Sequence, residues 1–210
     1  MTRYFVGVDV GTTATKAVLL AGDGAVLRRV RAPHVAGLPL EPGRVDPVSW
    51  WGSVQEACRA LQAGDLELDG IGLSVHSPVA VPMDAAGKHV SAGYRFETPG
   101  LTDIVKAAEA SFTPEEAAGM GNRTFPATFM VASYLLMQEQ EPEAAREVHV
   151  LGSVGTYIGH KLAKFLLGVV VVESFGRAPQ SRLIPGLGVA AMHPHHRQRL
   201  VRHFPHSGDC

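Results

Sequence analysis

From Tyr4 to Val10 the chain is rich in β-branched residues, and a second such run, Ala17 to Leu20, follows a turn rich in threonine. Both predict short strands. Asp23-Gly24 is a hairpin signal and leads into a third strand from Ala25 to about Arg31. Three short strands joined by tight turns make an antiparallel meander. The stretch His34 to Pro47 is a loop rich in proline and glycine. Beyond it Trp50, Val54, Cys58 and Leu61 recur at helical spacing, with Ser49 placed to cap the helix. Leu68 to Met83 reads as a strand region, and Asp84 to Lys88 as a turn. Leu101 to Ala110 has helical periodicity. Thr113-Pro114-Glu115-Glu116 has the order of a capping box with proline at the first helical position. Phe129 to Gln140 reads as a helix stopped near Pro142, Val148 to Leu151 as extended, and Val154 to Phe165 as helical.

This order is mixed α/β. A doubly wound parallel sheet would open strand–helix–strand, so the opening meander argues against one. Composition narrows the class further. The 210 residues, 46% hydrophobic and 19% charged, fit a globular chain with a sizeable core. A net charge of −1 argues against a whole-domain attraction to nucleic acid or to an anionic membrane. Cys58 and Cys210 lie far apart without metal-ligand spacing, so a reducing cytoplasm is the expected location. The longest apolar run, Phe165 to Val172, has eight residues, too few to cross a bilayer.

Candidate chemistry sits in the first turn, GVDVGTTATK, Gly7 to Lys16. Its glycine spacing matches neither a dinucleotide fingerprint nor a P-loop. One reading is an ordinary hairpin, with Gly11 supplying a positive φ and Asp9 bonding the local backbone. The other is an anion cradle. Backbone N–H groups around Gly11 and the Thr12 and Thr13 hydroxyls converge on phosphate, Lys16 adds positive charge, and Asp9 holds Mg²⁺ through water.

The neighbouring segments favour the cradle. A hydrophobic strand, D-x-G-T-T-x-x-K, a second strand ending in Asp23-Gly24 and a third strand resemble the opening of the actin-like ATPase superfamily. Within it the chain resembles the FGGY carbohydrate kinases, the family of xylulokinase and glycerol kinase. EPGRVDPVSWW (Glu41 to Trp51) is similar to that family's entry into its first helix, and Ile71 to Lys88 to its substrate-side strand and turn. ATFMVASYLLMQEQEP and VLGSVGTYIGHKL resemble two later segments of the same domain. The resemblance covers about residues 4 to 163.

It implies a ribonuclease-H-like domain, its three-stranded antiparallel meander opening a mixed sheet with flanking helices. It is normally the first of two domains, with the active site in the cleft between them. ATP as co-substrate, with Mg²⁺, would place its terminal phosphates near Asp9, Gly11, Thr12 and Thr13, with Lys16 close by. A small sugar or polyol, five-carbon ketoses first, would be phosphorylated on a hydroxyl. For the substrate the resemblance points to His76, Ser77, Pro78, Arg95 and Glu97, where the chain departs from its relatives. Val75-His76 stands where glycine-glutamine is common, and GYRFETPG lacks the W-x-D-x-R pattern. His76 is also readable as a packed core histidine, and Arg95 with Glu97 as a surface pair.

The family's catalytic base aspartate falls beyond the matched segments and has no counterpart here. Residues 1–164 are therefore expected to form the N-terminal domain, residues 165–210 a divergent, poorly ordered basic tail, and the second kinase domain to be absent. From Gly176 onward there are five arginines, no lysine and one acid, Asp209. His193-Pro194-His195-His196 offers imidazoles to a transition metal, against the reading of a solvated tail. Three functional readings stand: a sugar kinase completed by a second chain or a homodimer, a non-catalytic sugar- or phosphate-binding module, and an inactive truncated remnant.

Overall fold

The computed structural model describes residues 3–35, 40–64, 66–111, 113–119, 130–163 and 169–171. In chain order the elements are β1 (Tyr4–Val10), β2 (Ala14–Ala21), β3 (Val26–Pro33), β4 (Arg44–Val45), α1 (Pro47–Ala60), β5 (Leu68–Val75), β6 (Val79–Met83) and β7 (Gly93–Arg95). There follow α2 (Leu101–Ser111), α3 (Pro114–Gly119), α4 (Met130–Gln140), α5 (Pro142–Glu147), β8 (Val150–Gly152), α6 (Val154–Ala163) and β9 (Val169–Val171). They divide into two compact units. The first comprises the described parts of Met1–Val35, Val48–His76 and Ile158–Cys210, and the second those of Ala36–Pro47 and Ser77–Tyr157.

The first unit holds a five-stranded sheet in the order β3-β2-β1-β5-β9. The meander pairs antiparallel, while β1–β5 and β5–β9 are parallel. A parallel partner needs a crossover, and α1 lies in the connection between β3 and β5. Period-2 alternation decides which face is covered. Val6, Val8 and Val10 stand opposite Leu19, Ala17 and Thr15, and all six are buried. Leu73 and Val75 continue that face on β5, and α1 adds Trp50, Val54, Ala57 and Leu61. Burying each valine or leucine among them is worth about 1.5–3 kcal/mol. A one-residue slip would turn Asp9 and Lys16 inward, so the apolar pattern holds the register.

The second unit holds an antiparallel sheet in the order β4-β7-β6-β8. Ala80 and Tyr94 of that sheet pack with Leu101 and Ile104 of α2, Ala132, Leu136 and Met137 of α4, and Ala145 of α5. The capping box on α3 forms as its sequence predicts. Thr113 N–H donates to Glu116 Oε2 at 2.9 Å, and Glu116 N–H to Thr113 Oγ1 at 3.2 Å. In the predicted turn, Asp84 Oδ1 accepts from the N–H groups of Ala86 (2.8 Å) and Lys88 (2.9 Å). Ser153 and Thr156 exchange backbone-to-hydroxyl bonds at the start of α6.

Three sequence expectations need correction. The region from Leu68 to Met83 is two strands in different sheets, because Pro78 has no N–H for a ladder. The first helix begins at Pro47, so Ser49 lies inside it rather than capping it; proline suits the first helical position, where no N–H is needed. Gly11 does not have a positive φ, whereas Gly24, Gly43, Gly87 and Gly100 do. The histidine cluster from His193 to His196 lies outside the described residues. Among the described residues no helix is long and apolar enough to cross a membrane.

Candidate functional site

The first turn spans Gly11 to Thr13, between β1 and β2. Gly11 N–H donates to the Ala14 carbonyl at 3.0 Å and closes it. A Cβ on Gly11 would lie 3.2 Å from that carbonyl oxygen, so the glycine answers a close approach of backbone rather than a left-handed φ. Thr12 and Thr13 are exposed, and their backbone N–H groups have no partner among the described residues. Next to the turn, Asp9 and Lys16 are register partners on the sheet face opposite the valines. Lys16 Nζ stands 3.5 Å from Asp9 Oδ2, and both side chains reach solvent. A contact so long and exposed contributes little stability, leaving both groups available to a ligand.

Two histidines brace this turn. His76 N–H donates to the Val10 carbonyl at 2.8 Å, and its Nδ1 approaches the same oxygen at 3.1 Å. A carbonyl only accepts, so Nδ1 carries a proton there. The edge-to-face contact of His76 with Trp50 spans 5.5 Å between ring centroids. His34 Nε2 lies 2.8 Å from the Gly11 carbonyl and Nδ1 lies 2.9 Å from Ser53 Oγ. Ser53 in turn meets Thr15 Oγ1 at 2.7 Å and the Trp50 carbonyl at 2.9 Å. The first unit thus gathers Asp9, Gly11, Thr12, Thr13, Lys16 and His76.

Ser77, Pro78, Arg95 and Glu97 belong to the second unit. Arg95 Nη2 and Glu97 Oε1 pair at 3.1 Å with both side chains partly exposed. Behind β7 lies a denser cluster. Arg44 Nη1 donates to Glu141 Oε1 at 2.6 Å and Nη2 to Ser91 Oγ at 2.7 Å, while the Ser91 and Tyr94 hydroxyls donate to the Glu141 carboxylate. Glu141 sits at the N-cap of α5 yet makes no cap bond with its side chain, which is turned to Arg44 instead. Burial opposes the charge on Glu141, but hydrogen bonds from Ser91, Tyr94 and Arg44, with the Arg44 charge, hold its carboxyl below the usual value. Burial and the bond to Glu141 push the Tyr94 phenol up.

The sequence reading missed His34 and Ser53 in the first unit and the whole Arg44 cluster in the second. His34 had no signal in the chain itself: only the strand register, which places Pro33 opposite Ala14, brings the next residue beside Thr13. Arg44 and Glu141 are 97 residues apart and had none.

The turn fits a hydrated Mg²⁺–phosphate group. Exposed N–H and hydroxyl donors suit an anion, and a single carboxylate suits a cation that keeps most of its waters. Among the described residues there is no cluster of three or more His, Cys, Asp or Glu able to hold a metal by itself.

A family model for the N-terminal domain of the FGGY family of carbohydrate kinases matches residues 4–183. A xylulose kinase of Streptomyces coelicolor is 30% identical over 168 residues, 75% of this chain and 33% of that protein. Another, of Streptomyces rubiginosus, is 28% identical over the same shares. The chain therefore spans about a third of the length of the curated relatives it matches. Among solved structures, xylulose kinase from Rhodospirillum rubrum superposes with a TM-score of 0.63 at 23% identity, covering 74% of this chain and 34% of that one. Plasmodium falciparum glycerol kinase with ADP gives 0.65 at 17% identity, covering 78% and 35%. The fold is that of the actin-like ATPases.

Proposed function

The chain belongs to the FGGY family of carbohydrate kinases, and on that footing we propose that it grips the phosphates of MgATP at residues 9–16 for transfer to a hydroxyl of a sugar or polyol. The observation that carries this reading is the turn itself: two exposed threonines whose N–H groups have no partner among the described residues, flanked by Asp9 and Lys16. Phosphoryl transfer needs positioning and charge neutralisation more than covalent help from the protein. The Thr12 and Thr13 N–H and hydroxyl groups orient the terminal phosphates. Lys16 offsets their charge, and Asp9 holds the hydrated Mg²⁺. When bound, Mg²⁺ neutralises phosphate charge and ATP supplies the phosphoryl group.

A five-carbon ketose ranks first as substrate, since the curated relatives are xylulose kinases. His76, Ser77, Pro78, Arg95 and Glu97 are the proposed substrate contacts, and a cytoplasmic setting fits a nucleotide-dependent sugar kinase. This chain contributes the N-terminal, phosphate-gripping part of the machinery, and a second chain or a homodimer is the proposed way to complete it. Regular secondary structure reaches Val171, inside the stretch matched by the family model.

Calorimetric titration with MgADP tests the grip. Asp9→Ala is expected to abolish Mg²⁺-dependent nucleotide binding, and unchanged binding would count against the assignment. A coupled assay with pentuloses then separates transfer from binding alone: sugar-dependent turnover supports the kinase, and binding without turnover supports a binding module.

A further inference from the structure

The two partners of the His34 ring lie on opposite sides of it: one on the turn, the other on α1. The Gly11 carbonyl accepts only, so Nε2 carries the proton at the 2.8 Å contact. In the neutral ring Nδ1 is then the acceptor, and the one hydrogen of the Ser53 hydroxyl is shared between this nitrogen and the Trp50 carbonyl, each 2.9 Å away. The same hydroxyl stands 2.7 Å from Thr15 Oγ1 and is fully buried, so the ring is tied through Ser53 to both α1 and β2. The His34 backbone is fixed as well, its N–H donating to the Thr13 carbonyl at 3.1 Å.

In a planar trans peptide the C=O and the following N–H point in opposite directions. Fixing the Gly11 carbonyl therefore fixes the Thr12 N–H, which points away from the His34 ring. The neighbouring peptide is set in the same manner, since His76 holds the Val10 carbonyl and Gly11 N–H goes to Ala14. Each of two successive carbonyls thus meets a histidine, and the first N–H after them without a partner among the described residues is that of Thr12. We propose that His34 is a positioning residue for the phosphate turn: its Nε2–H holds the Gly11 carbonyl and thereby aims the Thr12 backbone N–H at a ligand phosphate. This role rests on the phosphate reading of the turn, but it assigns work to a residue outside the D-x-G-T-T-x-x-K segment.

The test compares the 210-residue chain with His34→Ala, His34→Gln and Asp9→Ala, using MgADP titration and residue-resolved amide exchange. His34→Ala is expected to weaken MgADP binding roughly three- to tenfold, the worth of one hydrogen bond. It should also weaken the protection that MgADP gives the Thr12 amide while leaving amides of β5 protected. His34→Gln keeps an N–H donor at the Nε2 end and is expected to bind within about twofold of the unaltered chain, a rescue that a merely space-filling histidine would not show. Should His34→Ala fail to fold, His34→Leu, which keeps more of the volume without a donor, carries the same comparison. Wild-type affinity in His34→Ala or His34→Leu, alongside lost binding in Asp9→Ala, overturns the positioning role and leaves the phosphate grip standing. Absence of MgADP binding by the unaltered chain overturns the grip, and unchanged MgADP protection of the Thr12 amide in His34→Ala overturns the tie itself.

Discussion

Glu141→Ala is expected to destabilise the second unit by about 3 kcal/mol, read as a lower urea midpoint. The reason is what it leaves behind. The Arg44 side chain is only 9% exposed, bonded to Glu141 at 2.6 Å and stacked 3.8 Å over the Tyr94 ring. Its Nε is buried without a partner among the described residues, so the guanidinium already depends on its Nη bonds. Removing the carboxylate strands that charge and leaves two hydroxyl donors without their acceptor. Breaking a buried pair from one side costs about 3–5 kcal/mol, and the low end applies because Glu141 keeps 29% of its side-chain surface in water. Arg44→Met removes the charge that would be stranded, so the double variant should cost clearly less than the sum of the singles; simple additivity would show that the two do not act as a unit.

The same pair sets an acid limit. The Glu141 carboxyl is held below its usual value despite burial, by hydrogen bonds from Ser91, Tyr94 and Arg44 and by the Arg44 charge. An unfolded glutamate titrates near about 4.3. The contribution is therefore complete above that pH and is lost as pH falls through the lower folded value. Urea midpoints at pH 7 and at pH 3 should fall more steeply for the unaltered chain than for Glu141→Ala.

Gly43→Ala is expected to cost a similar amount, about 3–4 kcal/mol, for a different reason. Gly43 has φ +78°, and a Cβ there would lie 2.4 Å from Thr98 Cα and 2.5 Å from Thr98 N. Both are backbone atoms, so no rotamer change relieves the overlap. The Gly43 carbonyl also accepts from Arg95 N–H at 2.9 Å and Thr98 Oγ1 at 3.0 Å, and a shift to make room would pull on both. A left-handed φ costs a non-glycine residue about 1–2 kcal/mol, and overpacking adds about 1–3 kcal/mol. Gly24→Ala is the control, because φ is +89° there and nothing lies within 4 Å of the added methyl. It should lose only the first of those two amounts. Equal losses at the two positions, measured as urea midpoints, would remove the contact at Thr98 from the account.

Local patterns in the chain carried most of the elements. β1 runs from Tyr4 to Val10 as predicted, because β-branched residues suit extended backbone, and the α3 box formed because its partners are three residues apart. Boundaries moved where proline acted at a distance from the apolar pattern: Pro47 opened α1 two residues before Ser49, and Pro78 cut one apolar stretch into strands of separate sheets. Gly11 shows a subtler limit. The glycine was legible as necessary, yet φ and close approach demand the same residue type, and only the folded backbone separates them.

What the sequence by itself determined was the family, the meander and the donors of the first turn. Each rests on residues within a few positions of one another, whose chemistry survives being read as a string. Tertiary structure decided which partners hold those residues in place. The His34–Ser53–Thr15 chain joins three elements through β-sheet register and a helix crossover, and Arg44 meets Glu141 across 97 residues. Contacts of that kind depend on loop closure and on which faces are buried, and neither leaves a period or a spacing in the chain. The turn was legible as a candidate phosphate grip; the histidine proposed to aim it was visible only once the strands were paired.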